Sequence, residues 1–195
     1  MKKLTKNQLQ TISKKLDKVF NEATSEDIAE GKKWYVDANK FVKDTARYFD
    51  VQFSEIKIAS VLSALSPRNK WAKNKIDTIS VLDAVLKDKS PEEVSVSTFH
   101  TNKYKAFEIA KGNQFIDVSS RKTFSFVNNI ADLNSNYVTI DVWHLRACFG
   151  KTMGAIGYLA YEQIEKLTIK KAQKLGLKGY EYQAILWVVI QRIFK

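Results

Sequence analysis

At 195 residues the chain has the length of one domain or of two closely packed lobes, and 45% hydrophobic with 12% aromatic residues is enough to fill a core, which excludes general disorder. The formal net charge of +11 suits a polyanionic partner, nucleic acid first and an anionic membrane surface second. Cys148 is the only cysteine, which excludes an internal disulfide, a multi-cysteine zinc site and a cysteine-held iron–sulfur cluster; no cofactor or metal is expected.

No apolar run reaches the length of a membrane span, so no membrane partner is expected. The basic start MKKLTKNQLQ has no apolar stretch behind it, so export is not expected and the cytoplasm is the expected location. Apolar residues recur mostly at spacings of three and four, the period of a buried helix face. The expected fold is therefore all-α, with residues 1–195 forming a single helical domain or two packed lobes with a cleft between them.

In chain order, residues 3–22 carry Leu4, Leu9, Ile12, Leu16, Val19 and Phe20 on one stripe and form an amphipathic helix. Thr24 and Asp27 match a capping box, in which each side chain satisfies an amide of the first turn. The helix they open should run to about Phe49, with Trp34, Ala38, Phe41, Val42 and Ala46 inward and Gly31 a local weakness. Residues 54–65 form a strongly apolar central helix, capped by Ser54 and stopped at Ser66-Pro67, because proline restricts the residue before it. Between Arg68 and Lys75 lie four cations, Trp71 and two asparagines. A basic loop opening a helix suits phosphate, since free amides and side chains both point at the anion. The bland alternative is an exposed, charged helix start.

Ser90-Pro91-Glu92-Glu93 has the serine, proline and glutamate of a helix start. A helix over about 98–111, closed by Gly112, carries Tyr104, Ala106, Phe107 and Ile109, with His100 at its surface. Ser119 or Ser120 can cap a helix from Arg121 to about Ala131. After a polar loop, Thr139 should cap a helix running to Phe149, which puts Asp141 in the first turn, where amides and dipole favour a carboxylate. Gly150, Gly154 and Gly157 mark a turned or mobile connection. A helix over about 158–175 ends at Gly176, and the last, from Gly179, is almost wholly apolar with Trp187 in the core.

Two histidines and no serine elbow fit nucleophilic triads poorly, and neither a dense carboxylate cluster nor a Walker loop is present. What stands out is Asp141, set between β-branched residues and Trp143-His144, with Lys122 upstream. A carboxylate among apolar residues is unusual without a partner.

The pattern RKTFSFVNNI…VTIDVWHLRA resembles the helix-hairpin-helix DNA glycosylase superfamily, in which a lysine-bearing helix start follows a hairpin and a loop leads to a Val-Asp-x-His segment and an arginine. ASVLSALSPRNKWAKNKIDT resembles that family's early helix pair, so the likeness covers roughly residues 55–150 and extends to a divergent, often phage-borne branch. The resemblance implies a two-lobed bundle of about nine or ten helices and removal of a damaged or modified base from DNA. Asp141 would stabilise the developing sugar cation and activate the attacking group. Lys122 would attack the sugar C1′, form a Schiff base and permit strand cleavage. The partner would be double-stranded DNA with its target base flipped out, contacted by Arg68, Lys70, Trp71, Lys73, Asn74 and Lys75, and by Ser119, Ser120, Arg121 and His144. The protein would act as a monomer, in the host cytoplasm for a phage-borne member.

The segment matching the family's Gly-x-Gly hairpin turn reads DVSSRK and has no glycine. Lys122 therefore reads equally as a phosphate contact, and Asp141 also as a helix-start residue bonded to local amides, His144 or Arg146. Two further readings stand beside the glycosylase: a non-catalytic DNA-binding protein on the same fold, and a transferase or pyrophosphorylase acting on modified pyrimidines of phage DNA.

Overall fold

A computed structural model describes residues 3–151, 153–154 and 156–194. Those residues form nine α-helices and two 3-10 turns and contain no strand. The chain divides into two compact units, Met1–Ala38 with Asp132–Lys195, and Asn39–Ala131.

The first unit contains α1 (Lys6–Asn21), the first part of α2 (Ser25–Tyr48), α7 (Val142–Phe149), α8 (Tyr158–Lys174) and α9 (Gly179–Ile193). Helix α9 packs against α1, α7 and α8, as its nearly continuous apolar sequence demands. Leu16, Ile140, Leu145, Ile164 and Leu186 lie in the shared core. The capping box forms: the Thr24 amide donates to Asp27 Oδ2 at 3.0 Å and the Asp27 amide to Thr24 Oγ1 at 3.1 Å. Gly31 is not a weakness. A Cβ there would lie 2.5 Å from Ile185 Cγ1 and 2.6 Å from the Ile185 Cα and N, so only glycine admits the α9 backbone. Tyr35 rather than Trp34 is the buried member of its pair, and Trp34 and Trp187 meet edge to face, both half-buried. Trp187 therefore lies at the margin of the core, beside Asp27 and Arg192.

The second unit contains the rest of α2, then α3 (Glu55–Leu65), α4 (Trp71–Leu86), α5 (His100–Lys111) and α6 (Arg121–Ala131). Helix α3 is its centre. The Ser54 hydroxyl caps it, every residue from Ile58 to Leu65 is buried, and α4, α5 and α6 all pack on it. The Ser90-Pro91 start yields a 3-10 turn, Pro91–Glu93, and no α-helix. Cys148 is buried in the first unit, and His100 is exposed at the start of α5. Among the described residues no helix is long and apolar enough to cross a membrane.

Candidate functional site

In the first unit, Asp141 is the N-cap of α7 and not a residue of its first turn. Thr139 cannot cap, because it is buried with its Oγ1 3.0 Å from the Tyr35 hydroxyl. Asp141 Oδ1 accepts from the amides of Trp143 at 3.1 Å and His144 at 2.8 Å, which is how a carboxylate satisfies a helix start. The extended segment before it is held by side chains of α8. Glu165 Oε1 accepts from the Val138 amide at 3.1 Å, while the Tyr161 hydroxyl donates to the Val138 carbonyl at 2.7 Å and accepts from the Ile140 amide at 3.1 Å. Asp141 thus stands on a backbone fixed from both sides, and it remains half-buried.

His144 is a different residue from the one the sequence suggests. It is buried, its Nε2 lies 3.1 Å from Thr168 Oγ1, and its Nδ1 has no hydrogen-bond partner among the described residues. Burial pushes its pKa down to about 4, so the ring is neutral at physiological pH and is closed off from the surface. Two residues further on, Arg146 lies over the Trp143 ring at 4.8 Å and the Phe194 ring at 4.9 Å.

In the second unit, Arg68 and Lys70 are exposed, and Trp71, Lys73 and Lys75 are half-buried. Arg68 adopts φ +56°, a left-handed conformation uncommon outside glycine, and its guanidinium lies 5.1 Å over the exposed Phe99 ring. The Lys75 ammonium is 6.0 Å from the Trp71 ring and 5.8 Å from the Phe41 ring. The Thr98 hydroxyl donates to the Pro67 carbonyl at 2.8 Å and ties the two loops together. Cations therefore lie against aromatic rings at two places in this unit, Arg68 at Phe99 and Lys75 at Trp71 and Phe41.

Asn74 belongs to neither place. It is 1% exposed, and its Nδ2 donates to the Leu62 carbonyl at 3.0 Å, so it pins α4 to α3. Beside it lies a residue the sequence reading passed over. Asp77 is fully buried; its Oδ2 accepts from Asn69 Nδ2 at 2.9 Å and from the Ser97 amide at 2.8 Å, and its Oδ1 pairs with Lys73. Lys73 is thereby committed to an internal partner. Ser63 Oγ, Asn69 Oδ1 and Asn74 Oδ1 in the same α3–α4 region are buried without a hydrogen-bond partner among the described residues. The signal for Asp77 was available: Lys73 and Asp77 fall at i and i+4, where opposite charges meet on a helix.

Lys122 is exposed in the first turn of α6, and Arg121 begins that helix. The two serines do not cap α6 directly. Val118–Ser120 form a 3-10 turn capped by Asp117, whose Oδ1 accepts from the Ser119 amide at 2.8 Å and from its hydroxyl at 2.5 Å. Those hydrogen bonds, the Ser119 hydroxyl's first, hold the Asp117 carboxyl below its ordinary range. The Asp117 carboxylate thus occupies the Ser119 amide. Ser119 and Ser120 are accordingly turn residues, and Lys122 is the exposed cation beside them, while Arg121 is half-buried. Lys122 belongs to the second unit and Asp141 to the first.

Together these features define a basic, all-α protein with cation–aromatic pairs and a carboxylate at a helix start. The chain belongs to DUF7178, a family of unknown function, whose pattern matches residues 1–193. No curated protein and no solved structure matches it.

Proposed function

We propose that the protein binds duplex DNA and releases a damaged or modified base from it, in the manner of the helix-hairpin-helix glycosylases. One observation carries the reading: Arg68 over Phe99 and Lys75 against Trp71 are cation–ring pairs, each of which offers charge to phosphates and a ring face to an unstacked base. The net charge of +11 supports it. Asp141 is the candidate catalytic carboxylate. Its amide contacts fix its orientation, and the helix N-terminus provides a positive end suited to an anion that must face a sugar cation. Lys122 is the candidate nucleophile for strand cleavage. On this reading the protein is a cytoplasmic monomer whose target base is flipped out of the duplex.

The test uses duplexes that each carry one damaged or modified base. Wild-type protein should release a base from at least one of them, and Asp141→Asn should bind that duplex without releasing the base. Borohydride should trap a covalent adduct with abasic-site DNA in the wild type and none in Lys122→Ala. One observation favours a second reading: the Asp141 Oδ1 contacts complete a purely structural cap. Salt-dependent binding with no release from any duplex would replace the enzyme with a non-catalytic DNA-binding protein.

A further inference from the structure

Phe115 is 77% exposed, the most exposed of the large hydrophobic side chains, and Val118 three residues on is 51% exposed. Both lie in the connection between α5 and α6, inside the second unit. The connection is fixed at both ends. Gly112 ends α5 at φ +86°, the amides of Asn113 and Gln114 both donate to the Glu108 carbonyl at 2.9 and 3.2 Å, and Asp117 caps the 3-10 turn that follows. Phe115 and Ile116 fall between these anchors, so the phenyl ring is presented to water by a constrained backbone.

Cations gather around this loop. Lys57 Nζ lies 3.6 Å from where a Cβ on Gly112 would stand, and Lys105 is close enough to help hold the Asp117 carboxyl below its ordinary range. Lys111 precedes the loop, and Arg121 and Lys122 follow it. Two carboxylates oppose them, and both are engaged: Glu108 accepts from Asn113 Nδ2 at 3.0 Å, and Asp117 caps the turn. An aromatic ring raised on a fixed loop, with Lys57 near one end and Lys105 near the other, is an arrangement that can hold a nucleobase by its face and its phosphates by charge.

The geometry points to Phe115 as a stacking residue for an unpaired nucleobase, in single-stranded or locally opened nucleic acid, with Lys57 and Lys105 meeting the flanking phosphates. This rests on the nucleic-acid reading above and adds a contact that no glycine hairpin would supply. An apolar ring also enters anionic membranes, but the ring here is single and its neighbours are spaced along a turn, not along an amphipathic helix face.

The experiment uses the full chain and a single-stranded oligonucleotide containing 2-aminopurine, whose emission falls when the base stacks. Phe115→Ala should bind roughly ten- to a hundredfold more weakly, the range a lost base–aromatic stack gives. Its salt dependence should match wild type, because no cation is removed. Phe115→Trp should keep affinity and quenching, whereas Phe115→Leu should lose both, although it keeps an apolar side chain. Unchanged far-ultraviolet circular dichroism should accompany all three, since the side chain is exposed. Wild-type affinity in Phe115→Ala overturns the inference and leaves the DNA reading standing. If wild-type protein binds duplex DNA but not the single strand at low salt, the inference is overturned; if it binds neither, the DNA reading itself falls. If Phe115→Ala loses binding to phosphatidylserine vesicles while keeping the oligonucleotide, the ring serves a membrane and the inference is overturned.

Discussion

Asp141 is both a helix cap and the candidate catalytic carboxylate, and two substitutions separate the roles. Asparagine keeps a side-chain oxygen for the Trp143 and His144 amides, and asparagine and aspartate cap about equally well. Asp141→Asn gives up the charge at the helix N-terminus, about 0.5 kcal/mol. Asp141→Ala also leaves two amides of the first turn without an acceptor, which adds about 1 kcal/mol. For a chain of this length each kcal/mol moves the melting temperature by about 2–4 °C, so the alanine variant should melt about 3 °C below the asparagine variant. Catalysis should rank the variants differently. If the carboxylate faces the sugar cation, both should lose at least about a hundredfold in base release, because both lack its charge. Thermal melts with single-turnover release assays measure the two orders independently. Wild-type release by Asp141→Asn would reduce Asp141 to a cap, and equal melting temperatures for the two variants would refute the capping argument.

Gly31→Ala sets helix propensity, a gain of about 1 kcal/mol, against a Cβ 2.6 Å from the Ile185 backbone. Overpacking against backbone that cannot swing away should win, giving a net loss of about 2 kcal/mol in urea unfolding; a stabilised variant would refute the packing. Asp77→Ala strips Asn69 Nδ2, the Ser97 amide and Lys73 of a buried partner and should cost about 3 kcal/mol in the same measurement. His144 has a folded pKa of about 4 against an ordinary 6.5, so between those values the unfolded chain binds the extra proton. Stability from the neutral ring is complete above about pH 6.5 and is lost progressively as pH falls toward 4, by about 3 kcal/mol in all. His144→Gln should flatten that stretch of the stability–pH curve. Carboxylates with lowered pKa, such as Asp27 beside Arg192, act below that window.

The legible parts of the fold were those that local chemistry decides. Ser54 caps α3, Ser66-Pro67 ends it, Thr24 and Asp27 box the start of α2, and Gly112 closes α5 in the left-handed conformation only it adopts cheaply. The parts missed were decided at long range. Thr139 is as good a cap as Asp141 until the Tyr35 hydroxyl, 104 positions earlier, takes its oxygen. Trp34 and Tyr35 are equally apolar neighbours, and which one turns inward depends on Gln183, whose Oε1 lies 3.0 Å from the Tyr35 hydroxyl, and on Tyr180, whose ring is 5.1 Å away. Gly31 reads as a flaw in a helix until Ile185 shows what the missing Cβ admits.

The sharpest case concerns the two carboxylates. In sequence Asp77 and Asp141 look alike, each set between apolar or β-branched neighbours: Ile76 and Thr78 for one, Ile140 and Val142 for the other. Apolar surroundings single out both and rank neither. Ranking needs the covering elements, and for Asp77 these are the loop at Asn69 and the backbone at Ser97, 20 positions away. They close over it completely, and both its oxygens are bound to the protein. A carboxylate in that condition can organise a fold, but it cannot meet a substrate without unfolding its own surroundings. Asp141 is half-buried, and its Oδ1 accepts from two backbone amides of the helix it begins. Chemistry on a sugar requires reach as well as charge. The less buried of the two aspartates is therefore the one to test for catalysis, and the more buried one is the one to test for stability.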